Sequence, residues 1–270
     1  MAEVEARVAR HYHGADLTAR ILSALAKAGF DIERLSADQL FHFDQMHGRQ
    51  LSATREHVGR LALDESKHVL DVGSGIGGPA RYMAFTYGSR VTGIDLTESF
   101  VATARDLTAR CGLGGLVTFE RANALAMPFA TATFDAVACQ YVAMNIPDKG
   151  ALIREIARVL KPGGRLVFSS VVARAGMPPY PLPWARESSE SFLIPAEAFR
   201  PLFEAASLGI LEWTNETEIL RTASASPPPP ASAQMRKVVS GDDFPDRSRN
   251  FGAGVAGGSL GSVLVVAERK

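Results

Sequence analysis

An aspartate stands two residues ahead of the first of three spaced glycines in Asp71-Val-Gly-Ser-Gly-Ile-Gly-Gly, and Asp95 lies 22 residues beyond Gly73. Glycines let bare backbone approach a ligand closely, and a carboxylate ending the next strand accepts hydrogen bonds from both hydroxyls of a ribose. Gly73, Gly75 and Gly78 fit G-x-G-x-x-G with Asp95 near the place of its ribose-binding acid, so a nicotinamide dinucleotide is one reading of the loop. Asp71 favours another. An anion facing the loop suits a cationic ligand group better than a pyrophosphate. Asn123 adds a polar side chain able to meet the exocyclic amine of adenine.

These residues need a scaffold that gathers strand ends. His68–Gly73, Arg90–Asp95, Leu116–Arg121 and Phe134–Gln140 read as strands, and a further strand resumes at RLVFSSV after Lys161–Gly164 has stopped a helix. Between them lie helices opened by Pro79, Thr97 and Asp148, the first two closed by Gly88 and Gly112. Strand–helix alternation of this kind predicts right-handed crossovers and a parallel sheet covered on both faces. GILEWTNET and LGSVLVVAERK, arriving after the parallel run, predict an antiparallel hairpin at the sheet edge. MPPYPLPWA is too rich in proline for regular structure, and ASASPPPPASA (Ala223–Ala233) reads as an exposed polyproline-type connection.

The first sixty-odd residues carry no β pattern. Asp16 is placed to cap a helix bearing Leu17, Ile21, Leu22 and Leu25, Ser36 and Gln39 have capping-box spacing, and Leu51, Val58 and Leu61 share a face. All six histidines fall in or next to this arm (His11, His13, His42, His47, His57, His68). The division expected is a helical lid over 1–62 and a ligand-binding domain over 63–270, with a lid loop at about 173–195.

Composition narrows the class. Of 270 residues 46% are hydrophobic, which supplies a sizeable core, and 29 basic against 29 acidic residues leave no basic excess for a nucleic-acid partner. Two cysteines, Cys111 and Cys139, make neither a disulfide framework nor a structural zinc site. His11 and His13 lack a suitably spaced third ligand, so no metal is expected. No apolar run reaches the roughly 20 residues of a membrane span, and the start is charged where a secretory signal is apolar. A cytoplasmic protein with no membrane span follows, and a homodimer is compatible with it.

VLDVGSGIGGPARYMA, VTGIDLT, NALAMPF, FDAV and RVLKPGGRLVF, in that order, resemble class I S-adenosylmethionine-dependent methyltransferases across Lys67 to Val172. The resemblance implies a Rossmann-like, doubly wound, mostly parallel seven-stranded α/β sheet with S-adenosyl-L-methionine as cofactor and S-adenosyl-L-homocysteine as product. Gly73 and Gly75 then line its methionine and ribose part, Asp71 orients its ammonium and Asp95 holds the ribose diol. Leu96, Asn123 and Ala124 meet the adenine, with Asn123 standing where many relatives have Asp, and Gln140 lies near the reactive end.

DQMHGRQLSATREHV, QYVAMNIPDK and PYPLPWA with SFLIP resemble the small-molecule branch that includes sarcosine/dimethylglycine N-methyltransferases. That branch puts an amine nitrogen first as acceptor. Alternatives are O- or C-methylation of a quinone, phenolic or terpenoid, and a methyltransferase fold that transfers no methyl. MPPY resembles an adenine-methylating motif, but it follows the fifth strand rather than the fourth and is discounted. In-line transfer asks the protein to align the partners, exclude water and remove one proton. His47, with an ordinary pKa of about 6.5, is the first candidate for proton acceptor. Tyr12 is placed near the methyl or an ammonium by cation–π attraction. His13, Gln45, Tyr141, Tyr180 and Trp184 are expected to wall the acceptor, and Arg49 or Arg186 to hold a carboxylate on it.

Overall fold

The computed structural model describes residues 16–225 and 230–270. Its strands are β1 (His68–Val72), β2 (Arg90–Asp95), β3 (Val117–Arg121), β4 (Phe134–Gln140), β5 (Leu160–Ala173), β6 (Leu208–Asn215) and β7 (Leu260–Arg269). The α-helices are α1 (Leu17–Lys27), α2 (Ala37–Leu40), α3 (Gln50–Val58), α4 (Gly78–Tyr87), α5 (Glu98–Arg110), α6 (Lys149–Val159), α7 (Arg200–Ala205), α8 (Thr217–Ala225), α9 (Pro230–Ser240) and α10 (Phe244–Ala256). One sheet has the order β3-β2-β1-β4-β5-β7-β6. β1 to β5 pair in parallel, and β7 runs antiparallel to both β5 and β6.

Alternation along each strand feeds two cores. Val69, Ala136, Ala138 and Val167 share a cluster with Ala80 and Met83 of α4 and Val101 and Ala104 of α5. Leu70, Val72, Val137, Cys139 and Phe168 join Leu152, Ile153 and Ile156 of α6 and Phe203 of α7. Because both faces are covered, the central strands are apolar almost throughout. Each fully buried Leu, Ile or Val there contributes about 1.5–3 kcal/mol. Burial also raises both thiols, Cys111 to about 11, and neither forms a disulfide.

The strand order reverses at β1, whose neighbours are β2 on one side and β4 on the other. The loops after β1 and β4 therefore part, leaving a crevice at the strands' carboxyl ends. Local signals hold the flanking helices in place. Asp148 Oδ1 accepts from Ala151 N at 2.8 Å to start α6, and Gln39 Oε1 accepts from Ser36 N at 3.0 Å ahead of α2. Asp16, expected to cap α1, instead sits in the left-handed region at φ 59° and makes no capping bond through its side chain.

The C-terminal third differs from expectation. β6 and β7 are antiparallel neighbours but not a tight hairpin, because α8, α9 and α10 intervene. Ala223–Ala225 complete α8 and helix resumes at Pro230, so both ends of the stretch read as a polyproline connection are helical. Alanine favours helix, and proline is tolerated in a first turn. Lys161–Gly164, expected to separate helix from strand, lies within β5. Leu17, Ile21 and Leu25 of α1 cluster with Met235 and Val239 of α9, which roofs one side of the crevice. Trp184 of the proline-rich loop meets Phe251 of α10 edge-on at 5.9 Å on the other.

Candidate active site

Between these roofs and the strand ends lies a cavity of about 910 Å³. Its floor is the glycine loop. Gly73 N and Ser74 N both donate to Ile94 O, at 2.8 and 2.9 Å, which turns the loop back over β2. Gly73 has φ +71°, and a Cβ there would stand 2.4 Å from Val142 Cγ2; side chains are excluded on two counts. At Gly75 nothing lies within 4 Å of such a Cβ, so backbone faces the open cavity.

Two carboxylates line this floor. Asp95 is held by main chain, Oδ2 accepting from Gly75 N and Oδ1 from Thr97 N, both at 2.9 Å. Burial raises its pKa against those bonds. Asp71 is 2% exposed, and its Oδ2 has no hydrogen-bond partner. Burial first, then the charge of Asp95, push its carboxyl up to about 7. A buried carboxylate oxygen without a donor is costly, and a ligand ammonium is the group that relieves it. A cofactor with a positive amino-acid end and a ribose diol therefore fits this floor.

This gives a testable pH dependence. Folded Asp71 holds its proton more tightly than the unfolded chain, so its contribution to stability is present below pH 3.8 and lost as pH rises to about 7. Asp71→Asn should gain stability over the ligand-free wild type across that window, by at most roughly 4 kcal/mol. Thermal unfolding of the two proteins at several pH values measures it, and a difference that stays constant with pH would exclude the role.

Above the floor, His47, Tyr141 and His57 form a column of rings. His47 stacks on Tyr141 at 5.1 Å and 16°, and His57 follows on Tyr141 at 6.2 Å and 26°. Tyr141 stands at φ 57°, a backbone strain that bulky residues rarely carry and that recurs at functional sites. His57 is fully buried, its Nε2 3.1 Å from Glu216 Oε1 and its Nδ1 3.0 Å from Gln140 Oε1. It thereby fixes Gln140 at the end of β4.

A second chain of bonds sets His47. Asp44 accepts from Arg81 Nη2 at 2.9 Å and from Gln45 Nε2 at 2.7 Å. Gln45 Oε1 then accepts the Thr54 hydroxyl at 2.7 Å. Thr54 has one proton and gives it to Gln45, so its oxygen must accept from His47 Nε2, 3.0 Å away. His47 is the Nε2–H tautomer. Its Nδ1 is a bare lone pair with no partner. Burial first, then the charges of His57, Arg236 and Arg49, hold its pKa well below 6.5, so the ring is neutral at physiological pH. Gly78 makes room for this chain, since a Cβ there would lie 2.4 Å from Asp44 O and 2.7 Å from Gln45 Nε2.

The cavity brings together the expected cofactor residues Asp71, Gly73, Gly75, Asp95, Leu96, Asn123, Ala124 and Gln140, and with them His47, Arg49, Tyr141 and Trp184. Asn123 Oδ1 accepts from Leu125 N at 2.8 Å. Three residues expected in the acceptor wall are elsewhere. Gln45 lies behind it, in the chain just described. Tyr180 packs into the Trp184 cluster without lining the cavity. Arg186 is exposed and paired with Asp243 at 2.5 Å. Arg49 does line the cavity, but its guanidinium is engaged by Glu216, at 2.5 Å, and by Glu56. Tyr12 and His13 lie outside the described residues. The sequence reading missed Thr54, Asp44 and Arg81, which act through hydrogen bonds across the fold, and Arg236, which lies next to the proline-rich stretch. No group of three or more potential metal ligands occurs among the described residues.

Residues 70–168 match the family described as Methyltransferase domain. O-methyltransferase resE of Aspergillus sclerotiorum is 33% identical over 172 residues, covering 62% of this chain and 64% of that protein. The chain spans less than two thirds of the length of the first curated relatives it matches. Among solved structures, the [4+2]-cyclase SpnF is 26% identical with a TM-score of 0.68, covering 98% of this chain and 96% of that one. Geranyl diphosphate C-methyltransferase of Streptomyces coelicolor A3(2) shares the fold, with a TM-score of 0.73 at 18% identity over 99% of this chain and 98% of that one.

Proposed function

We propose that this protein, whose residues 70–168 match a methyltransferase domain, uses S-adenosylmethionine to move a methyl group onto a hydroxyl of a bulky, mostly apolar small molecule. The observation that carries the reading is the pairing of an unsatisfied, buried Asp71 with a neutral His47 on the walls of one cavity. S-adenosylmethionine supplies, when bound, an electrophilic methyl on a positively charged sulfur. Asp71 takes its ammonium, Asp95 its ribose diol and Leu96 with Ala124 its adenine. His47 accepts at Nδ1 the proton that the acceptor hydroxyl loses. The packed roofs of α1 with α9 and of Trp184 with Phe251 keep water from competing.

The rest of the wall favours a large acceptor. Met144, Val171, Trp184, Phe244 and Phe251 line it, and an acceptor the size of a glycine derivative leaves most of that surface untouched. The engagement of Arg49 and Arg186 by carboxylates also weakens the amine-first expectation. The name of the Aspergillus relative supports oxygen as the attacking atom.

The test is turnover of labelled S-adenosylmethionine with matched panels of phenols and alcohols, amines, and RNA. S-adenosylhomocysteine formed with a hydroxylated acceptor is the expected product. Turnover confined to amines, or to RNA, would overturn the assignment of the attacking atom. The near full-length likeness to a cyclase supports a second reading, in which the fold runs another reaction; no turnover with any acceptor would favour it.

A further inference from the structure

The arginines bordering the cavity differ in what they touch. Arg49 is held by Glu216 and Glu56, and Arg249 pairs with Asp246 at 3.0 Å. Arg236, on α9, has no carboxylate partner among the described residues. It is only 8% exposed, yet it lines the cavity. Its Nη2 donates to the main-chain oxygen of His47 at 2.5 Å, and its guanidinium stands 5.8 Å from the centre of the Phe244 ring. Burial alone lowers its pKa, to about 10.

An Arg taken out of water without a counter-charge is expensive, and the expense is relieved when something negative arrives. We infer that Arg236 seats a carboxylate carried by the methyl acceptor. The inference rests on reading the cavity as the site of methyl transfer, and it narrows the acceptor to a hydroxylated acid with a large apolar body. A singly charged group fits best. A phosphate ester carries close to two charges at neutral pH and calls for a second free cation, whereas Arg49 and Arg249 are already neutralised. Guanidinium and carboxylate also match as a two-pronged hydrogen-bonded pair. The role that the sequence suggested for Arg49 or Arg186 thus falls to a residue on the opposite roof.

Seating an anion there has a consequence for the proton acceptor. The Arg236 charge is among those that depress the proton affinity of His47. An acceptor that cancels it makes His47 more basic as it binds.

The test uses the whole chain saturated with S-adenosylhomocysteine and two probes of equal shape, 3-hydroxy-2-naphthoate and its carboxamide. By calorimetry the acid should bind about tenfold or more tightly than the amide, with the preference shrinking as salt is raised. Arg236→Gln keeps an N–H for the His47 oxygen and removes the charge, so it should erase the preference while binding the amide as before. Arg236→Lys should restore part of it. Equal binding of the two probes by the wild type, failure of the acid to bind, or a preference that survives in Arg236→Gln each overturns the inference. Because the readout is binding, it separates from the reading it rests on. Charge-dependent binding without turnover would leave Arg236 in its role and overturn methyl transfer. Turnover of neutral acceptors, unaffected by Arg236→Gln, would do the reverse.

Discussion

Replacing His47 with alanine is expected to lower turnover by about 10²- to 10⁴-fold, the usual contribution of a positioned proton acceptor. Affinity for S-adenosylhomocysteine should stay nearly unchanged, because the bonds and ring contact of His47 go to Thr54, Arg236 and Tyr141 rather than to Asp71, Asp95 or the glycine loop. Thr54→Val should show a smaller loss, on the order of tenfold, because it strips the acceptor from His47 Nε2 and frees the ring to tautomerise. Thr54→Ser should recover most of the activity. Since burial depresses the His47 pKa, activity at saturating cofactor, where a bound ammonium keeps Asp71 ionised, should run flat from neutral pH down past 6.5 and fall only at lower pH. Wild-type turnover in the His47 variant would remove it from the chemistry, and recovery absent in Thr54→Ser would sever the chain from Asp44.

The second large effect is expected at Asp95. Alanine there deletes the carboxylate proposed to accept from two ribose hydroxyls and also frees the amides of Gly75 and Thr97. Two bonds to a charged group, at about 1.5–3 kcal/mol each, put the loss of cofactor affinity near 10²-fold or above. Calorimetry with S-adenosylhomocysteine measures it. Asp95→Asn should keep part of the affinity by retaining one oxygen. Unchanged binding in Asp95→Ala would mean that the ribose lies elsewhere.

How far the sequence reveals these features depends on the range over which each is encoded. β1 to β4 and their helices are written locally, in apolar runs ended by glycine and opened by Pro79 or Asp148, and the structure places them where those signals lie. The glycine loop and Asp95 are legible for the same reason, since strand, turn and acid are contiguous or one crossover apart. The position of β7 between β5 and β6 is not local. An antiparallel neighbour on either side satisfies the same alternation. The ends of α8 and α9 that flank residues 226–229 are built from alanine, serine and proline, which reads as a connection rather than as helix, and with them Arg236 stays hidden. Gln45 and His47 stand two residues apart on one segment, yet one lies behind the wall and the other in it. Only the hydrogen bonds to Thr54 of α3, and through Asp44 to Arg81 of α4, decide which.

Asp71 also bears on how the cycle ends. If it takes the cofactor's ammonium as proposed, that group is retained when the methyl has gone, so the spent molecule meets the same carboxylate as the fresh one. On that reading spent and fresh cofactor compete for one floor, and by-product left in the surroundings holds the catalyst back.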